Sequence, residues 1–389
     1  MFKKSLAAVA VLGAFAGSAF AAEVTMYGVI DTGLMYTYED VADGKATTDL
    51  EQHTLGLEGG INSSNRFGVK GTEELGNGMK VGFKLENGFK SDTGALKTKD
   101  TLFDREASVS LYGDFGTLSM GRMGGVASSA GTYDIVYSMA DAFDGGDNNI
   151  LGLAISGRSD NMITYQTPKF AGLQGTFQYS FNQSGAEKDQ SSNNNQFFAT
   201  AITGEFGNLN VVGAYEYTNR NKDDRKYVRK DAQTVYLGGN YDCGFAKTFV
   251  MAQYFEGADV AFGFDLLGKD KDTILDKNDQ GEVVESAQGM KGYGLHLGTI
   301  VPVMNGDLTA ALYYVDGKIE GVKEIGKHVS EDFDASYIGG SVRYEYPLSK
   351  RTSVYVGGGA AQAKIDNGND SSDYKEFIGQ AYTGLTHRF

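Results

Sequence analysis

The sequence predicts an all-β fold, a 16-stranded antiparallel transmembrane β-barrel, and three observations carry that prediction. Short segments alternate polar and apolar residues, tight turns and long polar loops follow one another in turn, and no helical stripe of useful length intervenes. In Met79–Glu86, for example, Lys80, Gly82, Lys84 and Glu86 fall on one face and Met79, Val81, Phe83 and Leu85 on the other. That alternation suits either a soluble sandwich or a membrane barrel with lipid outside and water inside.

The connections separate the two. Short ones at Glu73–Gly78, Gly113–Gly116, Phe206–Asn208, Asn305–Gly306 and Leu348–Lys350 alternate with long ones near 39–53, 123–157, 183–195, 220–230, 258–288, 320–334 and 366–376. Short turns at one end and long loops at the other are the habit of outer-membrane barrels, and the strand candidates come to about sixteen, an allowed even number. Composition agrees: 54 Gly, 23 Tyr and 23 Phe stand against 3 Pro and no Trp, which suits many strands with aromatic rings at membrane interfaces.

The chain opens Met1-Phe2-Lys3-Lys4, continues through an apolar run from Leu6 to Phe15 and reaches Ala19-Phe20-Ala21, the three parts of a secretory signal peptide. Residues 1–21 are therefore read as the signal and 22–389 as one barrel domain. The apolar run is shorter than the roughly 20 residues that a spanning helix needs. Loss of Lys3 and Lys4 leaves 33 basic against 50 acidic residues, a balance that argues against nucleic-acid binding. The single Cys243 cannot close an internal disulfide and reads as a turn residue. Asp276-Lys277-Asn278-Asp279-Gln280-Gly281 lacks the acid that a calcium loop requires at its twelfth position, which is Ala287. His328 and Ser330 recommend a hydrolase only by their closeness, and His53, His296, His328 and His387 have no metal-ligand spacing. No catalytic group, metal or cofactor is expected.

Four stretches carry a more specific likeness. Val24-Thr25-Met26-Tyr27-Gly28-Val29-Ile30-Asp31-Thr32-Gly33 and Asn65-Arg66-Phe67-Gly68-Val69-Lys70-Gly71-Thr72-Glu73-Glu74-Leu75-Gly76-Asn77-Gly78 resemble the first strands of Gram-negative trimeric general porins, as do Thr101–Arg122 and the ending Thr386-His387-Arg388-Phe389. The resemblance implies a homotrimer of 16-stranded barrels in the outer membrane. The third long loop, about 123–157, would fold inward as a constriction. Implied partners are further copies of the chain, outer-membrane lipid and lipopolysaccharide, and small hydrophilic solutes and ions.

Such a pore needs fixed charges at its narrowest zone rather than reactive groups. Parity places Arg66 and Lys70 inward with Phe67 and Val69 outward, and likewise Arg158, Asp160, Thr164 and Gln166 inward. Arg66, Arg158 and Arg105 resemble the family's basic wall, with Arg122 a fourth candidate and Lys70, Lys84 and Glu86 as further pore-lining residues. Parity groups Arg105 with Phe103, Val109 and Leu111, which leaves Glu106, Ser108 and Ser110 outside, tolerable where a neighbouring subunit covers them; Arg122 shares a side with Leu118 and Met120. On the loop, Asp141, Asp144 and Asp147 are the candidate facing acids, and the terminal Phe389 resembles the assembly signal of outer-membrane barrels. Opposed charges would set a transverse field.

A general diffusion channel, a solute-selective channel on the same barrel and a secreted adhesin all remain as readings. A sugar channel would carry a track of inward aromatics, whereas Tyr and Phe mostly occupy the apolar parity; Phe389 and the loop asymmetry disfavour the adhesin. The ion preference leans towards cations, and only geometry at the narrowest point decides it.

Overall fold

The computed structural model describes residues 23–43, 50–185, 194–220, 230–258, 289–320, 323–324, 327–328, 332–366 and 374–389. Residues 1–21, expected to be an export signal, the 276–287 segment and Ser330 lie outside them.

The strands, in chain order, are β1 (Glu23–Asp43), β2 (Leu50–Gly59), β3 (Arg66–Gly76), β4 (Met79–Gly88), β5 (Glu106–Gly113), β6 (Gly116–Gly124), β7 (Arg158–Gln166), β8 (Leu173–Ser180), β9 (Gln196–Phe206) and β10 (Leu209–Asn219). They continue as β11 (Ala232–Asp242), β12 (Lys247–Ala258), β13 (Met290–Val303), β14 (Gly306–Ile319), the two-residue ribbon β15 (Lys323–Glu324) and β16 (Lys327–His328), then β17 (Phe333–Pro347), β18 (Thr352–Asp366) and β19 (Tyr374–Arg388). Each barrel strand pairs antiparallel with its sequence neighbour, and β1 closes the ring against β19 over fifteen residue pairs, Val29 opposite Arg388 to Asp43 opposite Tyr374. β2 and β3 act as one wall strand broken at 60–65, because β2 pairs with residues 32–41 of β1 and β3 with residues 23–29. Counted that way, the closed antiparallel wall has sixteen strands.

Alternation becomes inside and outside as expected. Along β12, Phe249, Met251, Gln253 and Phe255 are buried in the lumen, while Val250 and Tyr254 face outward; on β13, Leu295 and Leu297 flank the inward His296. The end with short turns carries exposed Phe115, Phe170, Phe206, Tyr241, Phe245 and Tyr346, the aromatic girdle that a barrel presents at a membrane interface. These turns are tight: Asn77 and Gly78, at φ 51° and 76°, make the left-handed pair that suits a two-residue hairpin.

The break in the second wall strand follows from Asp31. Its buried carboxylate accepts from the Asn62 N–H (3.2 Å), the Tyr355 hydroxyl (2.9 Å) and the Thr386 hydroxyl, and its own N–H donates to Asn65 Oδ1 (2.6 Å). Segment 60–65 is thereby drawn to the barrel seam instead of continuing the ladder. At the same seam Phe389 exchanges backbone hydrogen bonds with Gly28 (3.0 and 3.1 Å), and its ring rests where a Gly28 Cβ would stand.

Two expectations about connections need correction. The structure adds a long connection at 89–105, and it shortens the first loop to 44–49 because β1 and β2 run on by pairing with each other. The long 125–157 segment turns into the lumen, where Val126, Tyr137, Ile150 and Leu153 pack against the inward faces of Phe197, Tyr236, Tyr313 and Tyr337. Each fully buried side chain of this kind contributes about 2 kcal/mol. Most tyrosines and phenylalanines face out as expected; the inward Tyr236, Tyr313 and Tyr337 are covered by the loop and form its dock.

Leu237 is 67% exposed at the middle of β11. Leu237→Arg is expected to lower the folding stability of the barrel in bilayers by about 2–4 kcal/mol, measured by denaturant titration in lipid vesicles.

Candidate functional site

The inserted loop is held by carboxylates that accept hydrogen bonds at several points along it. At its neck, Glu216 of β10 takes the Ala127 N–H (3.1 Å) and the Ser156 hydroxyl (2.9 Å) on one oxygen and the Tyr236 hydroxyl (3.1 Å) on the other, so both ends of the loop hang from one side chain. Midway, the short helix α1 (Val136–Ala140) packs on β10, β11 and β12 and ends at Asp141. Asp141 accepts the N–H groups of Phe143 (3.1 Å), Gly145 (2.9 Å) and Gly146 (2.9 Å) and the Tyr313 hydroxyl (3.0 Å). Beyond it, Asp147 receives the Tyr382 hydroxyl (2.7 and 2.8 Å) and the Gln380 amide (3.3 Å) from β19.

This docking fills one side of the lumen. Between the loop and the opposite wall there remains a water-accessible cavity of about 1450 Å³. Its wall carries Arg66 and Lys70 of β3, Lys84 and Glu86 of β4, Arg105, Arg343 of β17 and Arg388 of β19, with Lys97 from the 89–105 connection. The loop side presents Asp134 and Asp144. Arg343 reaches across to the Phe143 ring, 4.8 Å from its centroid, and so joins the wall to the loop.

Much of the wall's charge is internally compensated. Arg105 Nε donates to Glu86 Oε1 (2.7 Å), and Lys84 Nζ to Glu106 Oε2 (2.8 Å). Glu106 is bound as well by the Thr132 N–H (3.1 Å) and hydroxyl (2.7 Å). Arg66, Lys70, Lys97, Arg343 and Arg388 have no carboxylate within 4.0 Å among the described residues.

The chain's likeness to known proteins follows the same architecture. A family model described as Gram-negative porin matches residues 7–370. The chain belongs to the Gram-negative porin family. An outer membrane porin protein of Bordetella pertussis is 32% identical, with all of both chains covered. Outer membrane porin protein 32 of Delftia acidovorans is 33% identical over 46% of this chain and 50% of that one. Among solved structures, an anion-selective porin from Comamonas acidovorans superposes with a TM-score of 0.65 at 23% identity, over 95% of this chain and all of that one. The barrel is thus an outer-membrane porin of a Gram-negative bacterium, a passive, water-filled route for small hydrophilic solutes; its relatives are channels.

Several sequence-selected residues of the porin meet at the cavity: Arg66, Arg105, Lys70, Lys84, Glu86 and Asp144. Arg122 does not line it; Arg122 donates to the Asp104 carbonyl (2.9 Å) and pairs with Asp160 (2.5 Å). Arg158, at the start of β7, lies half-buried within electrostatic reach of Arg105 and Asp104 and outside the lining. Asp141 and Asp147 are nearly fully buried loop anchors rather than pore-facing acids. The parity argument on β5 is also reversed: Glu106, Ser108 and Ser110 face the cavity and Val109 faces out, since Arg105 precedes the strand and escapes its alternation. The inference of a covering subunit drawn from that parity therefore lapses. Arg122 escapes parity because the ladder bulges between Gly121 and Met123.

Residues that sequence reading passed over are Arg343, Arg388, Lys97 and Asp134. Arg343 was reachable, because Ser341, Arg343 and Glu345 alternate with the outward Val342. Asp134 had no such signal; it lies in irregular loop and meets Asp144 only through the fold.

Asp134 and Asp144 come within hydrogen-bonding reach of each other, and the Asp134 carboxyl is pushed well above the ordinary carboxylate range by burial and by the charge of Asp144. The folded pair therefore keeps a proton that the unfolded chain releases at acidic pH, so this contribution to stability falls as pH rises. Asp134→Asn should stabilise the porin at neutral and alkaline pH, seen as a higher denaturation temperature; an equal or lower one would contradict the shared proton.

Proposed function

We propose that the inserted loop is the constriction of this porin and that its wall makes the pore prefer anions. The charge balance at the cavity supports the reading: five basic side chains without a carboxylate partner among the described residues face Glu23, Glu345 and an Asp134–Asp144 pair that holds one proton. Arginine keeps its charge at every relevant pH. Local charge outweighs the acidic surface, since at physiological salt screening acts over about 8 Å. The lean towards cations drawn from overall charge is thus replaced. The solved structure similar in fold is titled anion-selective, and that property is its own; for this chain the reading rests on the cavity's residues.

Arg66, Arg105 and Arg343 serve as the basic wall, Asp144 with Asp134 as the facing acids, and Lys70, Lys84 and Glu86 as lining of the approach. Residues 1–21 serve as the export signal, Phe389 as the assembly signal, and no catalytic group is assigned.

A homotrimer belongs to the same reading. β2 pairs on one side with β1, and no described strand occupies its other edge, beside the outward Leu55 and Leu57. Open backbone groups in hydrocarbon cost several kcal/mol each, so protein from another copy is the fitting cover. A Vibrio cholerae outer-membrane protein of similar fold is described in a trimer form.

Planar-bilayer recording tests both parts. Conductance steps in threes and a reversal potential of anionic sign across a salt gradient are expected. The double variant Arg66→Ala with Arg343→Ala should move that potential towards cations, and a cationic wild-type potential would overturn the anion reading. Raising pH from about 6 to about 10 should shift it the same way by ionising the carboxyl pair, a shift that Asp134→Asn abolishes.

A further inference from the structure

We propose that the outer face of β13, β14, β17 and β18 binds a phosphate-bearing glycolipid of the outer leaflet, with an acyl chain in a groove at mid-membrane and the phosphates on lysines above it. Two separate features of this face, one apolar and one charged, call for the same kind of molecule.

The apolar feature is a groove of about 630 Å³. Leu297 and Thr299 of β13, Ala310 and Leu312 of β14, Gly340 of β17 and Gly358 of β18 line it. The register accounts for it, since Leu312 lies opposite Gly340 and Val342 opposite Gly358, so a bulky side chain on one strand meets bare backbone on the next. Leu297, Leu312 and Val342 are all exposed, which puts the groove on the lipid side of the wall and not in the lumen. An unfilled depression forfeits dispersion contacts along its lining, and in hydrocarbon a flexible acyl chain is what fills it.

The charged feature lies where the same strands meet the long connections, the outer end of such a barrel. There Lys291 of β13 stands directly opposite Lys318 of β14, and Lys364 of β18 directly opposite Lys375 of β19. Like charges directly opposite in a ladder are destabilising, and an anion between them relieves the repulsion. Glu256, Asp334 and Asp366 come within 3.8, 3.2 and 3.7 Å of Lys291, Lys318 and Lys364. Ion pairs on an exposed rim hold little energy and yield to a phosphate of higher charge. On β9, β10 and β11 the outward residues nearest this end are the neutral Gln196, Asn219 and Gln233.

The spacing joins the two features. Six residues separate Leu312 from Lys318, and six separate Gly358 from Lys364. Six residues of strand cover about 20 Å, or about 15 Å along the membrane normal at the tilt of such barrels. That is half of a hydrocarbon core about 30 Å thick, so a groove at mid-membrane sets the lysines at the headgroups. Tyr293 and Tyr314, with ring centroids 6.2 Å apart, occupy the interface between them. Lys318 and Lys364 stand two strands apart, about 10 Å, and the two lysine pairs therefore suit two phosphates on one sugar scaffold. A lipid with a single phosphate reaches one pair. The face is also distinct from the open edge of β2, because β17, β18, β19 and β1 lie between that edge and β14.

The experiment is native mass spectrometry of the mature, full-length porin in detergent, titrated with diphosphoryl lipid A, its monophosphoryl form, its deacylated headgroup and phosphatidylglycerol. The diphosphoryl lipid should bind most tightly. Lys318→Ala with Lys364→Ala should weaken it about thirtyfold, the combined effect of two lysines near a charged lipid surface. Ala310→Phe, which fills the groove, should weaken the acylated lipid and leave the deacylated headgroup bound as in the wild type. Channel conductance should be that of the wild type in every variant, since none of these side chains faces the lumen. Equal binding of diphosphoryl lipid A, monophosphoryl lipid A and phosphatidylglycerol, or unchanged affinity in the double lysine variant, would overturn the site. So would a disulfide between subunits through Ala310→Cys in a Cys243→Ser background, which would give the groove to a second copy of the chain.

Discussion

No backbone hydrogen-bonding group facing hydrocarbon can be left open, and everything else in this porin is arranged around that constraint. It is why β1 must find β19 at the far end of the sequence, and why Gly28 and Phe389 tie the last residue into the ring. Closure on this scale has a second effect. A ring of sixteen strands encloses far more space than its own inward side chains fill, so without an insertion the lumen would discriminate little between solutes.

The loop solves the packing problem with two kinds of interaction on opposite sides of one segment. Against the wall it brings a small apolar core of its own, in which Tyr137 and Leu153 meet Tyr236, Tyr313 and Tyr337. Its irregular backbone has few ladder partners, so carboxylates take over: Glu216, Asp141 and Asp147 together accept four of its N–H groups as well as wall and loop hydroxyls. The acids of the loop thereby divide into anchors and pore-facing groups. Residue type alone does not reveal that division.

Legibility in the sequence follows the same boundary between periodic and aperiodic chain. Where β3 and β4 run regularly, parity put Arg66, Lys70, Lys84 and Glu86 in the lumen, and the cavity holds all four. At Arg105 and Arg122 the period fails, in one case because the residue lies before the strand and in the other because a bulge shifts the register. Within the loop there was no period to use. Asp141, Asp144 and Asp147 look alike in sequence, and what distinguishes them is whether the wall offers a hydroxyl or an imidazole, as Tyr313, His296 and Tyr382 do, or leaves water.

The contrast between the acidic chain and its basic cavity then has a physical origin. Fifty acidic residues against thirty-five basic ones give the whole chain a net charge of −15, but that excess acts on a permeating ion only through water and salt. At the cavity the distances are shorter, so on the reading proposed above a few uncompensated guanidinium groups dominate. Glu86 and Glu106 add little there because Arg105 and Lys84 already neutralise them at 2.7 and 2.8 Å. Asp134 and Asp144 weaken each other by proximity, since sharing a proton removes one of their two charges. Placing acids in pairs and leaving Arg66, Arg343 and Arg388 single is thus sufficient to turn a narrow zone positive inside a negatively charged protein.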